Sequence, residues 1–288
     1  MHAAAPTLIP TVRGTRAMVD YLNAQIDGIE AGDVALRHGE DEDTIHDTRV
    51  AIRRLRSTLR IFAKVLDAAE IGDMDTELKW FAGLLGDVRD CQVQRSRFAD
   101  VLDGMPDELI LGPVKARIEE HLNAIEFPAR EGIAEAMGSA RYQSIVAVLR
   151  RWRAQPPVAG AITTGTLRQR ARRAQRKTDR RLAEALESGD DAMLHRARKA
   201  AKRARYAAEL CKTLGQGTRS KRTIKHYKQI QSLLGDHQDA VVASETLREI
   251  GVTAGTTVGE NGFTFGLLYA REQQIARKCR QEARQLGK

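Results

Sequence analysis

Apolar residues recur at three- and four-residue spacing along most of the chain, and this 3.6-residue rhythm predicts helices rather than strands. The pattern places them near residues 12–37, 44–67, 73–102, 107–138 and 140–154, then near 163–187, 191–214, 218–250 and 262–285. Ala, Leu, Arg, Glu and Gln, all good helix formers, are abundant in these segments. Hairpin signals are missing: Asn261-Gly262 lies in a Gly/Thr-rich connection, not between alternating strands. Pro128 is expected to kink or split the fourth helix. Gln155-Pro156-Pro157 and Gly160 interrupt the helical pattern, which marks residues 155–161 as a linker. The expected architecture is all-α, with one helical bundle over 12–154 and a second over 162–288.

The two bundles share sequence. HDTRVAIRRLRSTLRIF begins at His46 and HRARKAAKRARYAAELC at His195, an offset of 149. LLGDVRD begins at Leu84 and LLGDHQD at Leu233, again offset by 149, with five of seven positions identical. Two blocks at one ungapped offset predict a tandem duplication. The expected fold is therefore two four-helix bundles related by a pseudo-twofold axis in one compact unit, the first carrying an extra short helix.

The helix beginning near Thr44 carries two stripes. With His46 at zero and 100° per residue, Ile52, Leu55, Leu59, Phe62 and Leu66 fall within about 80° of one another and form the core side. His46, Arg49, Arg53, Arg56 and Arg60 form a second stripe, about 21 Å long at 1.5 Å per residue. Asp41, Glu42 and Asp43 precede this helix, and Asp190 and Asp191 stand before His195, as suits a helix N-terminus. The copy repeats the stripe as His195, Arg198, Lys202 and Arg205, but Glu209 replaces the fifth cation. Its core side is slimmer, with Ala201, Ala204, Ala208 and Cys211, which permits close helix approach. Arg54, Arg203 and Lys199 are secondary candidates. Like charges at these spacings repel, and the bland reading of one such helix is a solvated face. The same stripe appearing twice, each headed by histidine, favours a binding role. Arginine suits phosphate because its planar fork donates paired hydrogen bonds, and a histidine beside phosphate becomes a cation.

A second helix type bears Lys79, Gly83, Gly86 and Asp90 on one narrow face, repeated as Lys228, Ser232, Gly235 and Asp239. Glycine inside a helix costs about 1 kcal/mol relative to alanine, so Gly86 and Gly235 are expected to serve close helix packing. That packing would bring Lys79 and Lys228 toward the anion. Asp90 and Asp239 are expected to orient arginines of the stripe or to form plain structural ion pairs.

Composition narrows the partner. Lys plus Arg number 47 against 38 Asp plus Glu, a formal net charge of +9, which points to an acidic partner. Aromatics make up only 5 %, few for a protein that stacks on single-stranded bases. Cys91, Cys211 and Cys279 are far apart and odd in number, which shows neither a disulfide framework nor a zinc pattern. MHAAAPTLIP has no signal-peptide core and no apolar run is of spanning length, so a cytoplasmic protein off the membrane is expected.

The paired, duplicated H-x-x-R-x-x-x-R-R-x-R helix and L-G-x-x-x-D helix resemble the CHAD family, the conserved histidine α-helical domain, over nearly the whole chain. The resemblance implies two four-helix bundles whose basic helices line a central cavity or pore. It implies non-catalytic binding of long-chain inorganic polyphosphate, no cofactor, and association with polyphosphate granules in some members. Carried over by position, the site is His46, Arg49, Arg53, Arg56, Arg60 and Lys79 with His195, Arg198, Lys202, Arg205 and Lys228. Phosphate or sulfate could occupy it. No E-x-E-x-K, Walker A, G-x-S-x-G or H-E-x-x-H motif is present, which argues against hydrolase chemistry. Two alternatives stay open. Weak nucleic-acid binding could use the same basic surface, and Glu42 and Asp191, each four residues before a histidine, could begin a metal site.

Overall fold

Helix starts and stops follow local chemistry. The computed structural model describes residues 13–39, 42–215 and 217–286, which form ten α-helices. In chain order they are α1 (Arg13–Arg37), α2 (Glu42–Ile61), α3 (Ala68–Ile71), α4 (Met74–Asp103), α5 (Val114–Gly138), α6 (Ala140–Ala154), α7 (Thr164–Ser188), α8 (Asp191–Lys212), α9 (Gly217–Thr256) and α10 (Phe263–Leu286). Asp190 caps α8 by accepting from the Met193 amide, and Thr163 caps α7 by accepting from Thr166. Asp41 and the side chain of Glu42 lie outside the described residues, as does the expected helix start at residue 12.

Three expectations need correction. The second helix ends at Ile61 instead of 67: a 3-10 turn, Ala63–Val65, follows, and Leu66 then pairs with Val158. The linker is thereby pinned, with Asp67 N–H donating to the Pro157 carbonyl and Ala159 N–H to that of Val65. The fourth helix starts at Val114 instead of 107, because Gly112 takes a φ of +83° and Pro113 caps the helix. Pro128 does not split that helix, which runs unbroken to Gly138.

No strand occurs among the described residues; Leu66–Val158 is an isolated bridge. The two halves share their interior. One apolar cluster joins Leu22, Leu55 and Trp152 to Leu167, Leu210 and Leu214. Another joins Phe98 and Ile118 to Leu247, Phe265 and Leu268. Burial of such side chains contributes about 1.5–3 kcal/mol each, so these clusters bind the halves into one unit. A third cluster lies within the second half, with Leu182, Leu194, Ala201, Ala204 and Leu234. No described helix is long and apolar enough to cross a membrane.

Candidate anion-binding site

The core stripe of α2 is fully buried, with Ile52, Leu55 and Leu59, and Phe62 just past its end, at 3 % exposure or less. That fixes its rotation and turns His46, Arg49 and Arg53 inward toward α8. The alanines of α8 are buried likewise and turn His195, Arg198, Lys199 and Lys202 toward α2. Between them lies a cavity of about 540 Å³. Helix α4 adds Arg89, Asp90, Val93, Gln94 and Arg97 to its wall, and α9 adds Gln238, Asp239 and Val242. Seven Lys and Arg therefore face two Asp.

The carboxylates do not satisfy the cations. Asp239 Oδ1 stands 3.8 Å from Arg198 Nη2, an ion pair too long to be a hydrogen bond. Asp90 acts on Arg49 through its charge, while the one hydrogen bond of Arg49 among the described residues is a 3.4 Å donation to the Ala82 carbonyl. Burial raises the Asp90 pKa, and Arg49 opposes that rise. Arg53 Nε, Arg198 Nε and His195 Nδ1 are buried with no hydrogen-bond partner. Such orphans are uncommon in folded proteins and call for an explanation, such as an ion or water.

Proton affinities carry the same signature. Burial first, then Arg198 and Arg53, lowers the Lys202 pKa to about 7. His46 is lowered by burial with Arg89 and Arg53, and His195 by burial with Lys199. Arg49, Arg53 and Lys199 shift the same way, each chiefly through burial. A cavity that disfavours its own protons is one in which an anion restores them.

The glycines have a reason other than helix–helix contact alone. A Cβ on Gly86 would stand 2.8 Å from Arg49 Nη1, and one on Gly235 would stand 3.2 Å from Arg198 Nη2. Each glycine makes room for a guanidinium. Gly83 has nothing within 4 Å of such an atom, so the requirement is local.

The remaining cations of the stripes lie elsewhere. Asp75 of α4 accepts from Arg56 Nε at 3.0 Å and from Arg60 Nη2 at 2.6 Å. Glu209 is 3.2 Å from Arg205 and 3.3 Å from Arg54, and both arginines sit over the Tyr206 ring. Lys79 is exposed and close enough to Lys199 to depress its pKa. Lys228 is exposed and lines no described cavity. Arg60 and Arg203 open on a second cavity. Sequence reasoning missed Arg89, Gln94, Arg97 and Gln238. The signal was present for Gln94 and Arg97, which continue the Lys79–Asp90 face by four and seven residues. Arg97 is fixed by a 2.9 Å bond from its Nε to the buried Glu272.

No group of three or more His, Cys, Asp or Glu among the described residues is placed to hold a metal. The CHAD domain family matches residues 20–248. The chain belongs to the CHAD family. Its curated relatives include the uncharacterized proteins MT2285 and Rv2226 of two Mycobacterium tuberculosis strains, each 30 % identical over 267 residues. These matches take in 91 % of the chain but 50 % of each relative, so the chain spans about half their length. The CHAD domain from the plant Ricinus communis superposes with a TM-score of 0.71 at 26 % identity, covering 98 % of this chain and 96 % of that one. PptA from Streptomyces chartreusis has the same fold, with a TM-score of 0.77 at 21 % identity over 94 % of this chain and 98 % of its own. The basic cavity of this CHAD chain is thus formed by the α2–α8 pair together with α4 and α9.

Proposed function

We propose that this CHAD protein binds long-chain inorganic polyphosphate, without catalysis, in the cavity between α2, α4, α8 and α9. The observation that carries the reading is the set of seven cations around one cavity, with buried guanidinium N–H groups left unpartnered. Polyphosphate is a linear anion with no bases, and a site of cations with no aromatic platform suits it. Nucleic acid fits less well. A duplex is wider than its own major groove of about 12 Å and does not enter a cavity of about 540 Å³. The proposed site is His46, Arg49, Arg53, His195, Arg198, Lys199 and Lys202, with Arg89 and Arg97 added.

We also propose that the chain is a tandem duplication, residues 12–154 and 162–288. Support comes from two contacts that repeat at the offset of 149: Gly86 against Arg49 and Gly235 against Arg198. A protein binding the polymer in this way would collect on polyphosphate granules.

The test is a competition assay with labelled long-chain polyphosphate against DNA, RNA, ATP and orthophosphate. Polyphosphate should win. The R49A/R53A/R198A variant should fold normally and bind far more weakly, with a shallower salt dependence because fewer counterions are displaced. Unchanged affinity in that variant removes the cavity from the site.

A further inference from the structure

A second cavity, of about 490 Å³, opens where α2 and α8 meet α7. Its charged lining is Arg60, Arg170, Arg173, Lys177, Arg181 and Arg203, and no carboxylate lines it among the described residues. Asp75 engages Arg60 from the α4 side. Arg170 Nε is buried without a hydrogen-bond partner. Burial chiefly lowers the Arg203 pKa, and the charges that act on it, those of Arg181, Arg60 and Arg56, are all cations that push the same way.

The offset of 149 shows what is particular to this flank. The positions corresponding to Arg170, Arg173, Lys177 and Arg181 are Tyr21, Ala24, Gly28 and Gly32 of α1. There a Cβ on Gly28 would stand 3.0 Å from the Ala51 Cβ, and one on Gly32 would stand 2.0 Å from Thr48 Oγ1. Packing closes that flank at Gly28 and Gly32; the cavity of about 360 Å³ that remains beside Tyr21 and Ala24 has Asp20 in its lining with Arg13 and Arg16, and Arg54 is paired with Glu209 at 3.3 Å. On the α7 flank the counterparts of Arg54 and Glu209 are Arg203 and Arg60, two cations. The α1 flank is closed at these two glycines and its facing pair is neutralised, while the α7 flank gathers six cations around open space, of which Arg60 alone has a carboxylate partner among the described residues, Asp75. Keeping them together costs repulsion that no protein carboxylate in the lining relieves.

We infer that the α7 cavity is a second anion site, one that takes a short run of phosphate groups. The identity of the ligand rests on the polyphosphate reading; the existence of the site does not. The phosphates could belong to a chain leaving the central cavity past Lys199 and Arg203, which are one turn apart on α8, or to a separate oligophosphate.

The probe is tripolyphosphate, followed by calorimetry, with long-chain polyphosphate as competitor. The test pair is K177A/R181A and R176A/R180A. Both remove two charges from α7, but only the first alters the cavity, since Arg176 and Arg180 are exposed outside it. The expected result is two tripolyphosphate sites in the wild type and in R176A/R180A, and one in K177A/R181A. For the long chain, K177A/R181A should reduce the salt slope by about 2, one unit for each lost phosphate contact. If the two double variants behave alike with both ligands, the α7 site is overturned. If R49A/R53A/R198A keeps long-chain affinity while K177A/R181A loses it, the central reading fails and the α7 site stands. Long chain displacing tripolyphosphate from the α7 site means one continuous path; tripolyphosphate still binding there beside saturating long chain means a separate oligophosphate site. Either result supports the anion site.

Discussion

A lysine buried among arginines carries its charge over a different pH range from a solvated one. Lys202 is held near pH 7, and in the unfolded chain it returns to 10.5. Below pH 7 both states are protonated and the cost of burying the charge is felt in full. As pH rises from 7 toward 10.5, the unfolded state keeps a proton that the folded state has lost, so this group makes the free protein more stable. Polyphosphate bound as proposed would reverse the effect by favouring the cation. At pH 8 binding should therefore take up protons, and affinity should fall as pH rises through 7 to 9. Calorimetry in buffers of different ionisation enthalpy reads the uptake, and K202M should remove most of it; an unchanged uptake in K202M assigns the proton elsewhere. The glycines facing the arginines make a second residue-scale case. Gly86→Ala gains about 1 kcal/mol of helix propensity, but its methyl displaces the Arg49 guanidinium. Melting temperature should hold or rise while polyphosphate affinity falls by up to about tenfold, or about 1.4 kcal/mol. Gly235→Ala, with 0.4 Å more room (3.2 against 2.8 Å), should lose less.

At the scale of the element, α2 divides its own stripe. Arg53 faces the cavity with its Nε unpartnered, whereas Arg56, one turn on, ties α2 to α4 by donating from Nε to both the Asp75 side chain and its carbonyl. Arg53→Ala should weaken binding with no loss of stability. Arg56→Ala should lower stability by about 1 kcal/mol, the scale of a partly exposed ion pair, and cost less affinity than Arg53→Ala; denaturant melts beside the competition assay separate the two. This division was not legible in the sequence, because 3.6-residue periodicity assigns a side chain to a face and says nothing of the carboxylate that another helix brings to it. The pairing of Asp75 with Arg56 and Arg60, and of Glu209 with Arg54, became visible only in three dimensions. Periodicity did locate the core of α2, and seven of nine expected helices match within two residues at their starts and ends, or within one residue at the start where α9 runs on to Thr256. It failed at Gly112-Pro113, where a backbone break lies inside an apolar pattern, and at Pro128, where a helix tolerates the missing amide. The cations of α7 were overlooked because the proposed duplication sets them against uncharged positions of α1, so a search for repeated features passes them by.

For the whole molecule, the distinction that matters is between a binding site for a polymer and a basic surface that attracts any anion. In the central cavity the cations of α2 and α8 converge from separate helices, with more from α4, and α7 lines a second basic cavity on one flank. A long chain can engage several of these groups at once. Once one segment is held, the next binds at high effective concentration, so affinity should climb faster with length than added charge alone predicts. ATP or tripolyphosphate satisfies only a fraction of the lining and should bind weakly. With phosphate units matched, long-chain polyphosphate should outcompete both. Removing two of the three Lys and Arg that α8 gives the cavity, in R198A/K202A, should abolish most of the length advantage while leaving the weak affinity for tripolyphosphate near its original value, because α2 still offers Arg49 and Arg53. Titration calorimetry over a series of chain lengths provides the measurement. Affinity that rises steeply and then levels off would mark the length at which the path is filled, and where the α7 cavity continues that path the plateau should move to shorter chains in K177A/R181A. A constant affinity per phosphate from tripolyphosphate upward, in the unmodified protein, would reduce the cavity to a patch of positive charge and overturn the polymer-binding reading.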